Sequence, residues 1–269
     1  MTVKWIVEEF HPDNSFQKLA DEVRRQGMVC EVLKYWPFES GSYDIYSDAD
    51  CVLFQGSINL GLQLQREKSW RPGLWFNQQN FECSTYYAYW GGYLLNRDYI
   101  MVPAGDLVRK SPWLFNVFGQ RLFIRPNSGV KTFAGRVFQH TSLKVEWPEQ
   151  FVDVSLEDLV VVSEAKRVDQ EWRFVIARGE VVTGCQYKHN GKFEQKPGFP
   201  DEAAGLAGEI AQSGFQPGPM YVLDICRVSD KYYLMETNSF SCSGLYECDM
   251  EMIVKAATQL AIEEWKNGE

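Results

Sequence analysis

The sequence predicts a chain of two characters, an α/β half followed by an α+β half. Up to about residue 105, short apolar runs alternate with amphipathic stretches, as strands alternating with helices do. After residue 120 the apolar runs come in neighbouring pairs around Arg178-Gly179 and Ser229–Lys231, which is the signature of hairpins. Hydrophobic residues make up 45% and charged residues 23%, the balance of a globular chain with a sizeable core.

Val3–Glu8 reads as the first strand. The segment Met1–Glu9 has too short an apolar run and too acidic a flank for a signal peptide. Asn14 or Ser15 offers an N-cap to a helix through Phe16, Leu19, Ala20 and Val23 that ends near Gly27. Strands follow at Met28–Lys34 and Ala49–Gln55, then a helix at Leu60–Lys68 and a short strand at Gly73–Asn77. This order describes a Rossmann-like N-terminal α/β domain over residues 1–105. Tyr86, Tyr87, Tyr89 and Trp90 could stack a base, but aromatics at helical spacing suit a core better.

Beyond Val102-Pro103-Ala104-Gly105, a helix from Asp106 leads into a strand at Arg121–Arg125. Gly129, Gly135 and the polar residues between them suggest a loop or hairpin. Leu159–Ser163 is an apolar strand, and Glu171–Ala177 with Glu180–Tyr187 makes a hairpin. A helix at Glu202–Gln212 ends at Gly214. Tyr221–Arg227 and Tyr232–Asn238 form a second hairpin, and a helix from about Asp249 to Lys266 follows.

The net charge of −9 argues against nucleic-acid binding, which needs clustered Lys and Arg. No run reaches the ~20 apolar residues of a membrane span. The seven cysteines are scattered and form no C-x-x-C, so free thiols in a reducing cytoplasm are expected. His11, His140 and His189 match no metal motif. Ser239–Gly244 lacks the first glycine of a nucleophile elbow, and Cys242 has no histidine near it in sequence, so neither a serine nor a cysteine nucleophile is expected. This segment reads instead as a loop lining the acceptor-substrate side of a cleft.

The second hairpin carries the chemistry. Glu236 and Asn238 share one strand face, ~7 Å apart by the strand rise. A three-residue turn, Ser229–Lys231, would set Asp224 opposite Glu236, whereas a two-residue turn would set Met235 there; an odd-numbered turn is expected. Two carboxylates and an amide oxygen are hard ligands suited to magnesium. A polar outer face of an amphipathic hairpin accounts for the same pattern.

Glu236-Thr237-Asn238, preceded by Leu223-Asp224-Ile225, resembles the metal-binding strands of the ATP-grasp superfamily. Phe123-Ile124-Arg125-Pro126 resembles its apolar strand ending in Lys-Pro, with arginine in place of lysine. Val160-Val161-Val162-Ser163-Glu164 resembles the linker strand whose backbone reads adenine, and Glu171-Trp172-Arg173 the Glu-x-Arg strand after it. Gly179-Glu180-Val181-Val182 matches the return strand. The arginine replacement resembles a phage- and bacteria-associated clade of the superfamily marked by two arginines and a lysine.

The resemblance implies a two-subdomain ATP-grasp fold over residues 106–269, divided at 163/164. It implies ATP and magnesium as ligands, with Asp224, Glu236 and Asn238 on the metal. Lys110, Arg125, Lys131, Val162, Glu164, Glu171, Arg173 and Lys188 become candidate nucleotide contacts. Arg125 and Arg173 would stabilise charge in the transition state. Each has a plainer reading: Arg125 and Glu164 as strand-end charges, Lys131 and Lys188 as surface lysines, Glu171 and Arg173 as a salt bridge within the sheet. The implied reaction joins a small-molecule or peptide carboxylate to an amine through an acyl-phosphate. An ATP-grasp phosphotransferase and a non-catalytic nucleotide-binding protein remain alternatives.

Overall fold

The computed structural model describes residues 2–9, 15–34, 51–150 and 154–268. Asn14, one of the two expected caps, and the start of the strand expected at 49–55 lie outside these residues. The chain forms two compact units. One comprises residues 1–76, 169–232 and 236–269, and the other residues 77–168 with 233–235.

The first unit holds two sheets. Strands β1 (Val3–Glu8), β2 (Val29–Leu33), β3 (Cys51–Gln55) and β4 (Pro72–Gly73) form a parallel sheet in the order β2-β1-β3-β4. Helices α1 (Ser15–Arg25) and α2 (Ile58–Glu67) make the crossovers that parallel pairing requires. Strands β9 (Gln170–Ala177), β10 (Glu180–His189), β11 (Lys192–Pro197), β12 (Met220–Val228) and β13 (Lys231–Ser239) form the second sheet, in the order β11-β10-β9-β12-β13. Helix α6 (Asp201–Ala211) lies between β11 and β12 in the chain.

Helix α7 (Met250–Asn267) ties this unit together. Its N-cap Asp249 accepts from the Met252 N–H, and Met250, Ile253, Val254, Ala257, Leu260 and Ala261 repeat at helical spacing on its buried face. That face shares one core with Trp5 and Leu53 of the parallel sheet and with Val175 and Val222 of the antiparallel one.

The second unit is built on an antiparallel sheet. Its strands are β5 (Tyr99–Pro103), β6 (Arg121–Pro126), β7 (Arg136–Gln139) and β8 (Leu159–Glu164), in the order β5-β8-β6-β7. Helices α3 (Cys83–Trp90), α4 (Leu107–Phe118) and α5 (Leu143–Glu146) belong to this unit. Leu107, Leu114 and Trp147 pack with Ile124, Val160 and Val162 in its core. Tyr86, Tyr87 and Trp90 are buried there as core aromatics, as their spacing suggested, while Tyr89 is exposed.

Two local expectations change. The strand expected at 73–77 shrinks to Pro72–Gly73, because the Trp75 backbone is satisfied by hydroxyls. Its N–H donates to Ser241 Oγ at 3.0 Å, and its carbonyl accepts from Ser239 Oγ at 2.6 Å. The turn between β12 and β13 has two residues, Ser229 and Asp230, so the odd-numbered turn is overturned. Ser229 sits at φ 54° with its N–H donating to Asp169 Oδ2 at 2.8 Å, which stabilises the tight turn. The count from that turn sets Met235 opposite Asp224, and the Thr237 hydroxyl donating to the Val222 carbonyl at 2.9 Å agrees with it.

Candidate functional site

Asp224 finds its partner on the other neighbouring strand. β12 pairs with β9 so that Asp224 faces Arg173. The guanidinium meets the carboxylate through two parallel bonds, Nε to Oδ1 at 2.8 Å and Nη2 to Oδ2 at 2.7 Å. Nη1 donates to the Gly244 carbonyl at 2.8 Å. The expected salt bridge of Arg173 within the sheet therefore exists, with Asp224 rather than Glu171. Both side chains are buried, which strengthens a bidentate pair and makes it expensive to break. Burial works against the Arg173 charge, yet the Asp224 carboxylate outweighs it and holds the guanidinium well above its ordinary pKa.

Two tyrosines that the sequence did not mark complete this arrangement. Tyr187 falls where the register of β10 against β9 shifts, between Gln186 and Lys188, and such an irregularity re-aims a side chain. Its hydroxyl donates to Glu171 Oε2 at 2.5 Å and lies 3.4 Å from Asp224 Oδ2. Tyr246 stacks on Tyr187 with centroids 5.1 Å apart, and Arg173 lies over both rings. Burial and then the charges of Asp224 and Glu171 push the Tyr187 phenol well above its usual pKa. Burial likewise raises Glu171, against the opposing pull of Lys188, whose Nζ is 3.3 Å away, and of the Tyr187 hydroxyl.

Glu236 and Asn238 stand side by side on β13, half-buried, with Asn238 Nδ2 donating to Glu236 Oε1 at 3.1 Å. As hard oxygen donors they fit a magnesium ion that keeps waters and phosphate oxygens as its other ligands. Asp224 is held differently, since both of its oxygens accept from Arg173. Among the described residues, no group of three or more His, Cys, Asp and Glu side chains is arranged to hold a metal.

The second unit carries the remaining candidates. Arg125 lies opposite Val161 on the face of β6 that turns away from the helix-covered core, because Leu122, Ile124 and Pro126 are its buried positions. Val162 packs its side chain into that core, so only its backbone is available to a ligand. Glu164 ends β8 exposed. Lys110 pairs with Asp106 at 3.8 Å on α4. Lys131 is exposed at φ 53° in the turn after Ser128, whose carbonyl accepts from its N–H. Ser163 alternates with Val162 and so shares the Arg125 face; its hydroxyl is buried with no hydrogen-bond partner. It escaped notice as a site residue because it sits inside an apolar run.

Cys242 is partly buried, and desolvation pushes its thiol pKa up to about 12, which removes it as a nucleophile.

A family model described as an ATP-grasp domain, family 2 of the clade with two arginines and a lysine, matches residues 107–256. Among solved structures, that of D-cycloserine synthetase DcsG superposes with a TM-score of 0.66 at 13% identity, covering 96% of this chain and 99% of that one. D-alanine–D-alanine ligase from Bacillus anthracis gives a TM-score of 0.62 at 13% identity over 99% and 98% of the two chains. The ATP-grasp ligase PsnB with its minimal precursor gives 0.55 at 12% identity over 97% and 100%. At these identities the likeness is one of fold. Among curated proteins, none matches this chain.

Proposed function

This chain belongs to the ATP-grasp domain family of the two-arginine, one-lysine clade, family 2, and from that premise we propose that it is an ATP-dependent carboxylate–amine ligase. The observation that carries the reading is the clustering in one unit of Glu236 and Asn238 with the buried Arg173–Asp224 pair. The solved structures that share the fold include a D-alanine–D-alanine ligase and a ligase complexed with a precursor peptide, which supports this class of substrate.

Glu236 and Asn238 would hold magnesium, which neutralises and bridges the phosphates of ATP when bound. Asp224 orients Arg173, and a released Asp224 carboxylate would be the third oxygen ligand. Arg173 keeps two of its five N–H donors beyond the three bonds to Asp224 and Gly244, and its charge acts in a buried setting where it counts for more than in water. Arg125, with a fixed charge at a strand end, would stabilise the charge that develops as the γ-phosphoryl group moves to the substrate carboxylate. Lys110, Lys131, Glu164, Glu171 and Lys188 are proposed as further nucleotide contacts, with the backbone of Val162 for adenine. An amine then attacks the acyl-phosphate, releasing phosphate and forming the amide. No side-chain nucleophile is needed, in keeping with the protonated Cys242. The free thiols suit a cytoplasmic setting, and among the described residues no helix is long and apolar enough to cross a membrane.

Thermal unfolding with and without Mg-ATP tests the site. A ligand at ~100 times its dissociation constant adds ~2.7 kcal/mol, a clear rise in Tm. The rise is expected for the wild type with magnesium and is expected to be lost or much reduced in Glu236→Gln. No rise at millimolar ATP would sink the reading. ADP release that needs a carboxylate and an amine together marks the ligase. Release with either acceptor alone would mark a phosphotransferase.

A further inference from the structure

Cys185 of β10 and Cys248, which directly precedes the α7 N-cap, bring their sulfurs to 3.3 Å. Both are buried free thiols. Around them the structure repeats one theme, that each sulfur touches the shell of Arg173. Cys248 Sγ lies 3.9 Å from the Arg173 carbonyl, and Cys185 Sγ lies 3.9 Å from the Leu245 carbonyl. Between Leu245 and Cys248 sits Tyr246, whose ring lies 4.8 Å from the guanidinium. One residue before Leu245, Gly244 accepts from Arg173 Nη1.

We propose that Cys185 and Cys248 form a peroxide-responsive dithiol, and that its oxidation to a disulfide displaces the segment that holds Arg173. The two sulfurs are chemically unequal. Cys248 donates to Cys185 and so lowers its pKa against the effect of burial, with the Glu247 backbone and the Arg173 charge adding to the lowering. Cys248, as the donor, is raised. Thiolate character therefore gathers on Cys185, with a resolving thiol in contact.

The chemistry balances with hydrogen peroxide as the oxidant. The Cys185 thiolate attacks one peroxide oxygen, the O–O bond breaks, and hydroxide leaves, giving a sulfenic acid. The Cys248 sulfur then attacks Cys185 Sγ, forming the S–S bond and expelling the second hydroxide. The two thiol protons neutralise the two hydroxides. Two thiols are oxidised and one peroxide becomes two waters.

The mechanical consequence follows from bond length. A disulfide holds its sulfurs at ~2.05 Å, so the contact contracts by more than ~1 Å. Strand β10 is anchored on both sides in its sheet, whereas residues 243–249 carry neither helix nor strand. The irregular segment therefore moves, and it opens more readily to admit a small oxidant. Gly244 and Tyr246 move with it, which removes the third hydrogen bond and the aromatic support of Arg173. The effect on nucleotide rests on the role of Arg173 proposed above, but the disulfide and the displacement do not.

The full chain is treated with hydrogen peroxide, alkylated, digested and mapped by mass spectrometry without reduction. Amide exchange at Gly244–Tyr246 and the Mg-ATP dissociation constant are measured before and after. The expected result is a Cys185–Cys248 peptide lighter by two hydrogens and an exchange rate at Gly244–Tyr246 changed about fivefold or more. The dissociation constant should rise about fivefold or more. Dithiothreitol reverses all three, and Cys248→Ser shows none of them. If that variant does not fold, Cys185→Ser serves as the control. Oxidation of the half-buried Cys30 while this pair stays unlinked overturns the proposal, and so does a link that leaves the exchange unchanged. Linkage and exchange are read without nucleotide, so a protein that never binds ATP sinks the ligase reading and leaves this one to be judged on its own.

Discussion

Arg173 and Asp224 face each other across β9 and β12 and close a two-bond ion pair at 2.8 and 2.7 Å, with side chains 6% and 0% exposed. Removing one partner leaves the other charge buried and unpaired. Asp224→Ala is therefore expected to cost ~3–5 kcal/mol in denaturant unfolding. Replacing both, as in the double variant Arg173→Met with Asp224→Leu, should recover most of that loss, because a well-packed apolar pair escapes the desolvation penalty. A double variant as unstable as the single one would show that the pair itself, rather than the stranded charge, holds the sheet together.

Glu171 gives the site a pH dependence with a definite sign. Its folded pKa is raised, chiefly by burial, so the folded state binds its proton more tightly than the unfolded state does. The stabilisation from this group is full below the unfolded value of ~4.3 and is lost as pH rises through the folded value. Glu171→Gln, which keeps an acceptor for Tyr187, should melt higher than the wild type at neutral pH. That advantage should vanish on acidification to about pH 4. An advantage independent of pH would place the effect in packing instead of ionisation.

Pro112 sits inside α4 and cannot donate to the Val108 carbonyl, and Ser111 Oγ donates there instead at 2.8 Å. Ser111→Ala should strand that carbonyl and cost ~1 kcal/mol. Adding Pro112→Ala returns a backbone N–H, so the double variant should regain the loss. The coupling between the two substitutions, read from a double-mutant cycle in urea, is the measurement.

The regular elements could be read from the sequence because burial leaves a pattern. Phe174-Val175-Ile176 and Tyr221-Val222-Leu223 are apolar runs in the interior of the five-stranded sheet, and α7 repeats Ile253, Val254, Ala257 and Leu260 at helical spacing. Misreadings occurred where backbone groups were satisfied by something other than a ladder. Leu74–Phe76 is apolar enough for a strand, but the hydroxyls of Ser241 and Ser239, 166 and 164 residues from Trp75, take the Trp75 backbone bonds. The candidate residues Glu236 and Asn238 were legible because alternation alone puts them on one face. Tyr187 and Tyr246 were not. One depends on a register shift within a single strand pair and the other on a φ of 51° in an irregular segment, and neither feature has a sequence period.

The β12–β13 turn shows how one residue decides such a register, and it can be tested directly. Ser229 has φ 54° while Asp230 does not have a positive φ, the pattern of a II′ turn, which favours glycine at its first central position. A left-handed conformation costs an L-residue ~1–2 kcal/mol, and glycine gives back roughly half of the relief through its more flexible unfolded chain. Ser229→Gly should therefore stabilise the protein by ~0.5–1 kcal/mol, seen as a higher urea midpoint at unchanged m. Ser229→Val should destabilise it by more than that, since a β-branched residue is strained at positive φ. If the turn instead relaxed to three residues, Ser229→Val would cost little, and Glu236 would move opposite Asp224. Amide exchange along β13 separates these outcomes, because a slip by one residue changes which of its N–H groups are protected.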